Sequence, residues 1–139
     1  MRIGSGKRHA VAVSVALLLT IGPMLHAQIR RGGVGGWEHL GNAHVDGRAD
    51  HDNINVGGGT FTALQMGVTN GAIGFDRIVV HFRQGGEEVL PVGVVVRSGG
   101  RTRPIPLRGG AREVRDVEVW YQKGAHNEGK PRVDLFGRR

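Results

Sequence analysis

The sequence predicts an all-β protein, a two-sheet antiparallel β-sandwich of jelly-roll type. Three observations carry that prediction. Apolar side chains recur at every second residue, glycine pairs punctuate the alternating runs, and no segment past residue 27 shows an apolar stripe of helical spacing. At 139 residues the chain has the length of one domain.

The first element is an export signal. Arg2, Lys7 and Arg8 form a positive segment free of acids, and the apolar run Val11 to Ile21 follows it. That run is about a dozen residues, the length of a signal-peptide hydrophobic region and too short for a hydrocarbon core ~30 Å thick. Gly22 and Pro23 break a helix, and Leu25-His26-Ala27 places a small residue at a cleavage point. The expected signal peptide is therefore 1–27, with an uncleaved anchor as the alternative. After cleavage no transmembrane segment is expected, and the product is exported, periplasmic or extracellular. The chain has no cysteine, which removes lipoprotein acylation, disulfides, thiolate metal sites and a cysteine nucleophile.

Cleavage also changes the charge. The full chain carries 19 basic and 12 acidic residues, a net +7. Without Arg2, Lys7 and Arg8 the balance is 16 against 12, a net +4. A mild positive charge favours solubility and loose attraction to polyanions, and it falls short of a nucleic-acid footprint.

Gln28 to Gly36 reads as a flexible leader rich in Gly and Arg, and the β-domain spans 37–139. Leu64, Met66 and Val68 alternate, then Ile78, Val80 and Phe82, then Leu90, Val92, Val94 and Val96. Ile105 with Leu107, then Val117, Val119 and Tyr121, then Val133 with Leu135 continue the period. Turns fall at Gly85-Gly86, Gly99-Gly100 and Gly109-Gly110, where residues free to take φ > 0 are needed. Pro104 and Pro106 flank Ile105 and assign that strand to an edge, because proline cannot donate to a ladder. Trp37 is expected to anchor the first strand in the core.

Shifting the chain by 39 positions lays Phe75 on Val114, Ile78 on Val117, Val80 on Val119 and Phe82 on Tyr121. In both copies a charged pair, Asp76-Arg77 and Arg115-Asp116, sits where the apolar parity slips, as a β-bulge would require. Farther on, Val94 meets Val133 and Val96 meets Leu135. Two similar three-strand units packed face to face would give this match.

Residues for covalent catalysis are scarce. Ser98 is the only serine after cleavage and sits in a turn without a nucleophile elbow. No glycine-rich loop leads into a helix that could hold a phosphate, and the few aromatics argue against a stacking platform for single strands. The densest polar cluster is His39, His44, Asp46, Asp50, His51, Asp52 and Asn53. Asp46, Asp50, Asp52 and Asn53 could give a hard cation such as calcium its oxygens, although their spacing departs from the twelve-residue calcium loop. A transition-metal site of His44, His51 and an aspartate is a further reading of the same cluster, although the histidines lack a recognised ligand spacing. The simpler one is a polar loop of turn-capping side chains paired with Arg48.

A second cluster is Arg97, Arg101, Arg103, Arg108, Arg112 and Arg115, against the single acid Glu113. Planar guanidinium forks suit phosphate, sulfate or carboxylate, so Arg101, Arg103, Arg108, Arg112 and Arg115 form a candidate anion patch. Arginines that guard edge strands would give the same composition. Trp120 points away from Val119 and Tyr121, toward Glu118 and Gln122, and is a candidate surface for stacking a sugar ring. His81 and Arg83 lie on outward positions and are assigned no role.

The opening W-x-x-L-G of Trp37, Leu40 and Gly41 leads into V-D-x-x-x-D-x-D-x-I-x-V from Val45 to Val56. His81 to Gly86, V-x-V-W-Y from Val117 to Tyr121 and V-D-L-F-G from Val133 to Gly137 follow. Together these strings resemble the small exported bacterial proteins of unknown function grouped with the enterobacterial YaaI protein. The resemblance covers about Trp37 to Gly137. It implies a periplasmic or secreted β-sandwich and brings no activity, cofactor or catalytic residue.

The first functional expectation is a non-enzymatic binding or accessory module of the bacterial envelope, without a cofactor. Its partner would be an anionic polymer, a polysaccharide or a protein, rather than nucleic acid. The second is a calcium-dependent carbohydrate-binding module using the Asp46–Asn53 loop with Trp120. The third is a hydrolase, which would need a cleft joining His44, Asp50 and His51.

Overall fold

The computed structural model describes residues 36–46, 50–126 and 130–139. The expected signal peptide, all of the leader except Gly36, and Arg48 lie outside the described residues. Among the described residues every regular element is a strand, so no helix there is long and apolar enough to cross a membrane.

The strands are β1 (Trp37–His44), β2 (His51–Asn55), β3 (Thr60–Phe61), β4 (Ala63–Thr69) and β5 (Ile73–Phe82). After them come β6 (Glu87–Val96), β7 (Ile105–Pro106), β8 (Arg112–His126) and β9 (Arg132–Arg138). One sheet has the order β1-β9-β4-β7 and the other β2-β8-β5-β6, with short β3 also on β8. All pairings are antiparallel. With β3 set aside, the chain changes sheet at β1–β2, β2–β4, β4–β5, β6–β7, β7–β8 and β8–β9, the two-sheet jelly-roll arrangement. Among the described strands only β5 and β6 follow each other as neighbours in one sheet. The turn between them needs Gly85 and Gly86, whose φ angles are +92° and +84°.

The alternating runs are what the two sheets bury. Leu64, Met66, Val68, Val133 and Leu135 come from one sheet, and Ile54, Ile73, Phe75, Ile78, Val80, Val117 and Val119 from the other. All belong to one cluster with almost no exposed area. Burying a side chain of this kind stabilises by about 1.5–3 kcal/mol. The two layers therefore depend on each other, because neither inner face can be left in water. Gly137 adds a tight approach. A Cβ there would come within 2.6 Å of Phe61 Cδ1 and 2.8 Å of Leu40 Cδ1.

The internal repeat has a different physical meaning from the expected one. Its copies, β5 and β8, do not face each other across the interior; they pair side by side. Ile78 faces Val119 and Val80 faces Val117, while Phe75 faces Tyr121 and Phe82 faces Val114. The 39-residue shift carries each of these pairs onto its mate with the strands exchanged, so a local pseudo-twofold axis relates β5 and β8. The expected irregularities are present. The register shifts at Asp76, between Phe75 and Arg77, and at Arg115, opposite the step from His81 to Phe82. The likeness of β6 to β9 does not extend the symmetry, because those two strands belong to different sheets.

Three further expectations change. The segment from Asp46 to Asn53 is not one loop, because His51, Asp52 and Asn53 lie in β2. Trp37 is buried but stands outside the core cluster, on the outward row of β1 beneath the Arg138 guanidinium. In β6 the inward series breaks. Arg77 pairs with Pro91 but Phe75 pairs with Val94, so Val92 and Gly93 together oppose Asp76. Gly93 takes a φ of +61° there, and Val94 and Val95 are 42% and 60% exposed. The edge expectation for Ile105 holds, since β7 ends its sheet.

Phe75→Ala is expected to lose about 3–5 kcal/mol of stability, and Gly137→Ala about 1–3 kcal/mol through overpacking. Val95→Ser should stay within about 0.5 kcal/mol of the wild type. Urea unfolding midpoints measure all three, and a Phe75→Ala midpoint equal to that of Val95→Ser would refute this core.

Candidate functional site

Because inward positions are apolar, the outward positions carry the remaining chemistry, and the strand order decides which of them meet. On the outer face of sheet β1-β9-β4-β7, β9 presents Arg132, Asp134, Phe136 and Arg138. The segment after β6 runs along β4 and bridges Gly67 at Arg101. Arg101 Cζ lies 3.9 Å from the Phe136 ring centroid. Arg103, two residues on, falls on the same side, because Thr102 between them is buried and bonds Met66. His39 packs edge-on to Phe136, with centroids 5.4 Å apart. Its Nε2 lies 2.7 Å from Asp134 Oδ1, an oxygen that also accepts from Arg132 Nη2 at 2.7 Å. The face is thus basic with aromatic rings interleaved, and its carboxylate Asp134 is already shared.

The five arginines singled out in the sequence do not form one patch. Arg101 and Arg103 lie on this face. Arg108 is held by the buried carboxylate of Glu88, which accepts its backbone N–H at 3.0 Å and lies 3.7 Å from its Nε. Arg112 stacks over Phe82 at 3.5 Å, and Arg115 donates to Asp116 Oδ2 at 2.7 Å on the opposite sheet. In their place the fold adds Arg132 and Arg138 of β9 to the face that carries Arg101. Both sit on alternate outward positions of β9, a signal present in the sequence but uninformative without the strand order.

The outer face of sheet β2-β8-β5-β6 has three cross-strand rows. They run His51–Trp120–Arg77–Pro91, Asn53–Glu118–Val79–Val89 and Asn55–Asp116–His81–Glu87. His51 stacks on Trp120 with centroids 4.1 Å apart, and Arg77 Cζ lies 4.2 Å from the same ring. The two come from strands on opposite sides of β8, so they cover opposite faces of the indole. Trp120 Nε1 donates to Glu118 Oε2 at 3.0 Å, and His81 Nε2 lies 3.2 Å from Glu118 Oε1. Asp116 and Glu87 complete a ring of carboxylates around His81, at 3.9 and 3.6 Å. The sequence carries no local sign of this role for His81, because only the β5–β8 and β5–β6 registers bring those three acids to it.

This network sets the ionisation of its members. Burial alone would raise the Asp116 carboxyl, but hydrogen bonds from Arg115 and Asn53 and the charges of His81 and Arg115 hold it below the ordinary 3.8. The Trp120 hydrogen bond, followed by contacts to His81, holds Glu118 below the ordinary 4.5. Tyr121 goes the other way. Burial and its hydrogen bond to Asp52 Oδ2 raise its phenol well above 10, so it stays a neutral donor.

The proposed calcium ligands diverge. Asp52 faces inward and accepts from Tyr121 at 2.9 Å, whereas Asn53 faces outward and donates to Asp116 at 3.1 Å. Among the described residues no group of three or more His, Cys, Asp or Glu side chains could hold a metal ion. A cavity of ≈ 390 Å³ opens at the end of this face, lined by Asp50, Asp76, Arg77, Trp120, Tyr121 and Gln122. Asp50 reaches it; His44 and His51, the other members of the hydrolase reading, are not in its lining.

A family model described as "Domain of unknown function (DUF2541)" matches residues 12–137. No curated protein and no solved structure matches the chain. The match supports the coarser part of the resemblance, an uncharacterised family, without tying it to the YaaI name.

Glu118→Gln is expected to cost about 1 kcal/mol or less at neutral pH, given the partial exposure of the network. A carboxyl with a lowered folded pKa stabilises above its unfolded value, and that contribution vanishes as pH falls through the folded one. The wild-type advantage should therefore be full above the ordinary 4.5 and shrink below it. Thermal midpoints of both proteins across acid pH check this, and an advantage that grows on acidification would contradict it.

Proposed function

The chain belongs to the DUF2541 family, and on that premise we propose an exported, non-enzymatic binding module of the bacterial envelope that holds an anionic polymer. The contact surface is the outer face of sheet β1-β9-β4-β7. The observation that carries this reading is the convergence of Arg101, Arg103, Arg132 and Arg138 on one sheet face, with Phe136 beneath Arg101 and Trp37 beneath Arg138. Guanidinium groups resting on aromatic rings keep their edges free, and those edges bond phosphate, sulfate or carboxylate in pairs. A flat sheet face suits an extended polymer better than a small substrate. The binding uses no cofactor.

Export rests on the basic start, short apolar run and small-residue cleavage point within residues 1–27. A periplasmic or extracellular location follows from that pattern. Kinship with the proteins grouped with enterobacterial YaaI is part of the same proposal and rests on the strings from Trp37 to Gly137.

Heparin serves as the test polymer. The mature protein should be retained at about 0.15 M salt and elute as salt rises. In titrations, the slope of log affinity against log salt should fall by about one for each contact arginine removed. The double variant Arg101→Ala/Arg103→Ala should lose retention, while Arg115→Ala, on the other sheet, should behave as wild type. Flow-through of the wild type at low salt, or equal loss in Arg115→Ala, would overturn the proposal. Retention that is unchanged by heparin chain length would point instead to a compact acidic protein partner.

A further inference from the structure

We propose that the cavity at the end of the β2-β8-β5-β6 face binds a neutral sugar, independently of calcium and of the basic face. Its walls come from two neighbouring strands, β8 and β5, and from the bend before β2. Asp50 precedes β2, Trp120, Tyr121 and Gln122 lie on β8, and Asp76 and Arg77 lie on β5. The bulge explains why they converge. Asp76 is an extra residue against β8, where its neighbours Phe75 and Arg77 pair with Tyr121 and Trp120, and β6 sets Val92 and Gly93 opposite it, so the side chains of β5 are re-aimed. Asp50 is fixed on the other side, where its carbonyl accepts the Tyr121 N–H at 2.9 Å.

The chemistry fits hydroxyl groups. A sugar hydroxyl both donates and accepts, and this lining offers carboxylates that only accept, a guanidinium that only donates and an amide that does both. Asp76 and Arg77 pair with each other in the free protein and both line the cavity, so their polar atoms stand within reach of a ligand's hydroxyls. The volume of ≈ 390 Å³ falls within the range of small-ligand sites. Trp120 supplies the apolar surface. His51 holds one indole face, and on the other Arg77 Cζ lies 4.2 Å from the centroid, the separation at which a flat group rests on a ring. Arg77 is a long, partly exposed side chain. The sugar's C–H face takes the indole surface that Arg77 covers, and the guanidinium turns to the ligand's hydroxyls. The sequence joins Trp120 to the acidic segment, and the fold brings Asp50 and His51 of that segment beside it while adding Asp76, Arg77 and Gln122.

Trp120 provides its own reporter, since its Nε1–H is bonded to Glu118 and the chain has only two tryptophans. In nitrogen-edited spectra of the mature protein, Trp120→Phe identifies the Trp120 indole signal. Titration with chitobiose, cellobiose or maltose in the presence of a chelator should shift that signal saturably with at least one disaccharide and leave the Trp37 signal in place. Asp76→Asn and Gln122→Ala should each weaken half-saturation about fivefold, the effect of losing one hydrogen bond, with thermal midpoints near wild type. Arg101→Ala/Arg103→Ala should bind sugar normally, which separates failure of this site from failure of the polyanion face. The proposal is overturned if no disaccharide shifts the signal, if Asp76→Asn and Gln122→Ala bind as wild type, or if spermidine alone produces the shift.

Discussion

The antiparallel ladder between β5 and β8 is the constraint on which the rest of the molecule depends. Its register sets Ile78 against Val119 and Val80 against Val117, and these four side chains are completely buried. The same register, read on the other side of the sheet, sets Arg77 beside Trp120 and His81 beside Asp116. Packing and surface chemistry are therefore one choice. A slip of one residue would expose the valines and bury the charges. Bulges near both ends of the ladder, at Asp76 and Arg115, fix that register and open the space beside Trp120.

The two outer faces differ in kind. One collects Arg101, Arg103, Arg132 and Arg138 around aromatic rings, while the other places Asp76, Glu87, Asp116 and Glu118 among His51, His81, Arg77 and Arg115. The modest overall positive charge thus averages over two unlike surfaces. On the second surface most charges are neutralised locally, and their energy goes into positioning: Glu118 joins Trp120 to His81, and Asp116 joins Asn53, His81 and Arg115. On the first surface Arg101 and Arg138 rest on rings, so their hydrogen-bonding capacity remains available to something outside the molecule.

Much of the fold was legible in the sequence because burial on a sheet leaves a period-two record. The runs ending at Val68, Phe82, Tyr121 and Leu135 each became a strand, and the parity slips at Asp76-Arg77 and Arg115-Asp116 were register shifts. What stayed hidden depended on strand order. Period and spacing are local, but whether β5 lies beside β8 or across from it is decided by contacts between distant residues. For that reason the sequence alone is compatible with two facing repeat units, a single arginine patch and an idle His81, and only the strand order decides otherwise. The acidic segment was illegible for another cause. In β2 only Ile54 among His51 to Asn55 is a buried apolar residue, too weak a signal to mark a strand.

β1 and β9 lie side by side, joining the two ends of the domain through a ladder from Trp37–Arg138 to His44–Arg132. That closure makes assembly strongly non-local. The loop it must close spans nearly the whole domain, and chains dominated by such distant pairings fold in milliseconds to seconds rather than microseconds. A growing chain would hold β4 and β1 without the strand that belongs between them until β9 arrives. The sheet would stay open along its middle until β9 was added, so completion of this sandwich is a late and cooperative event.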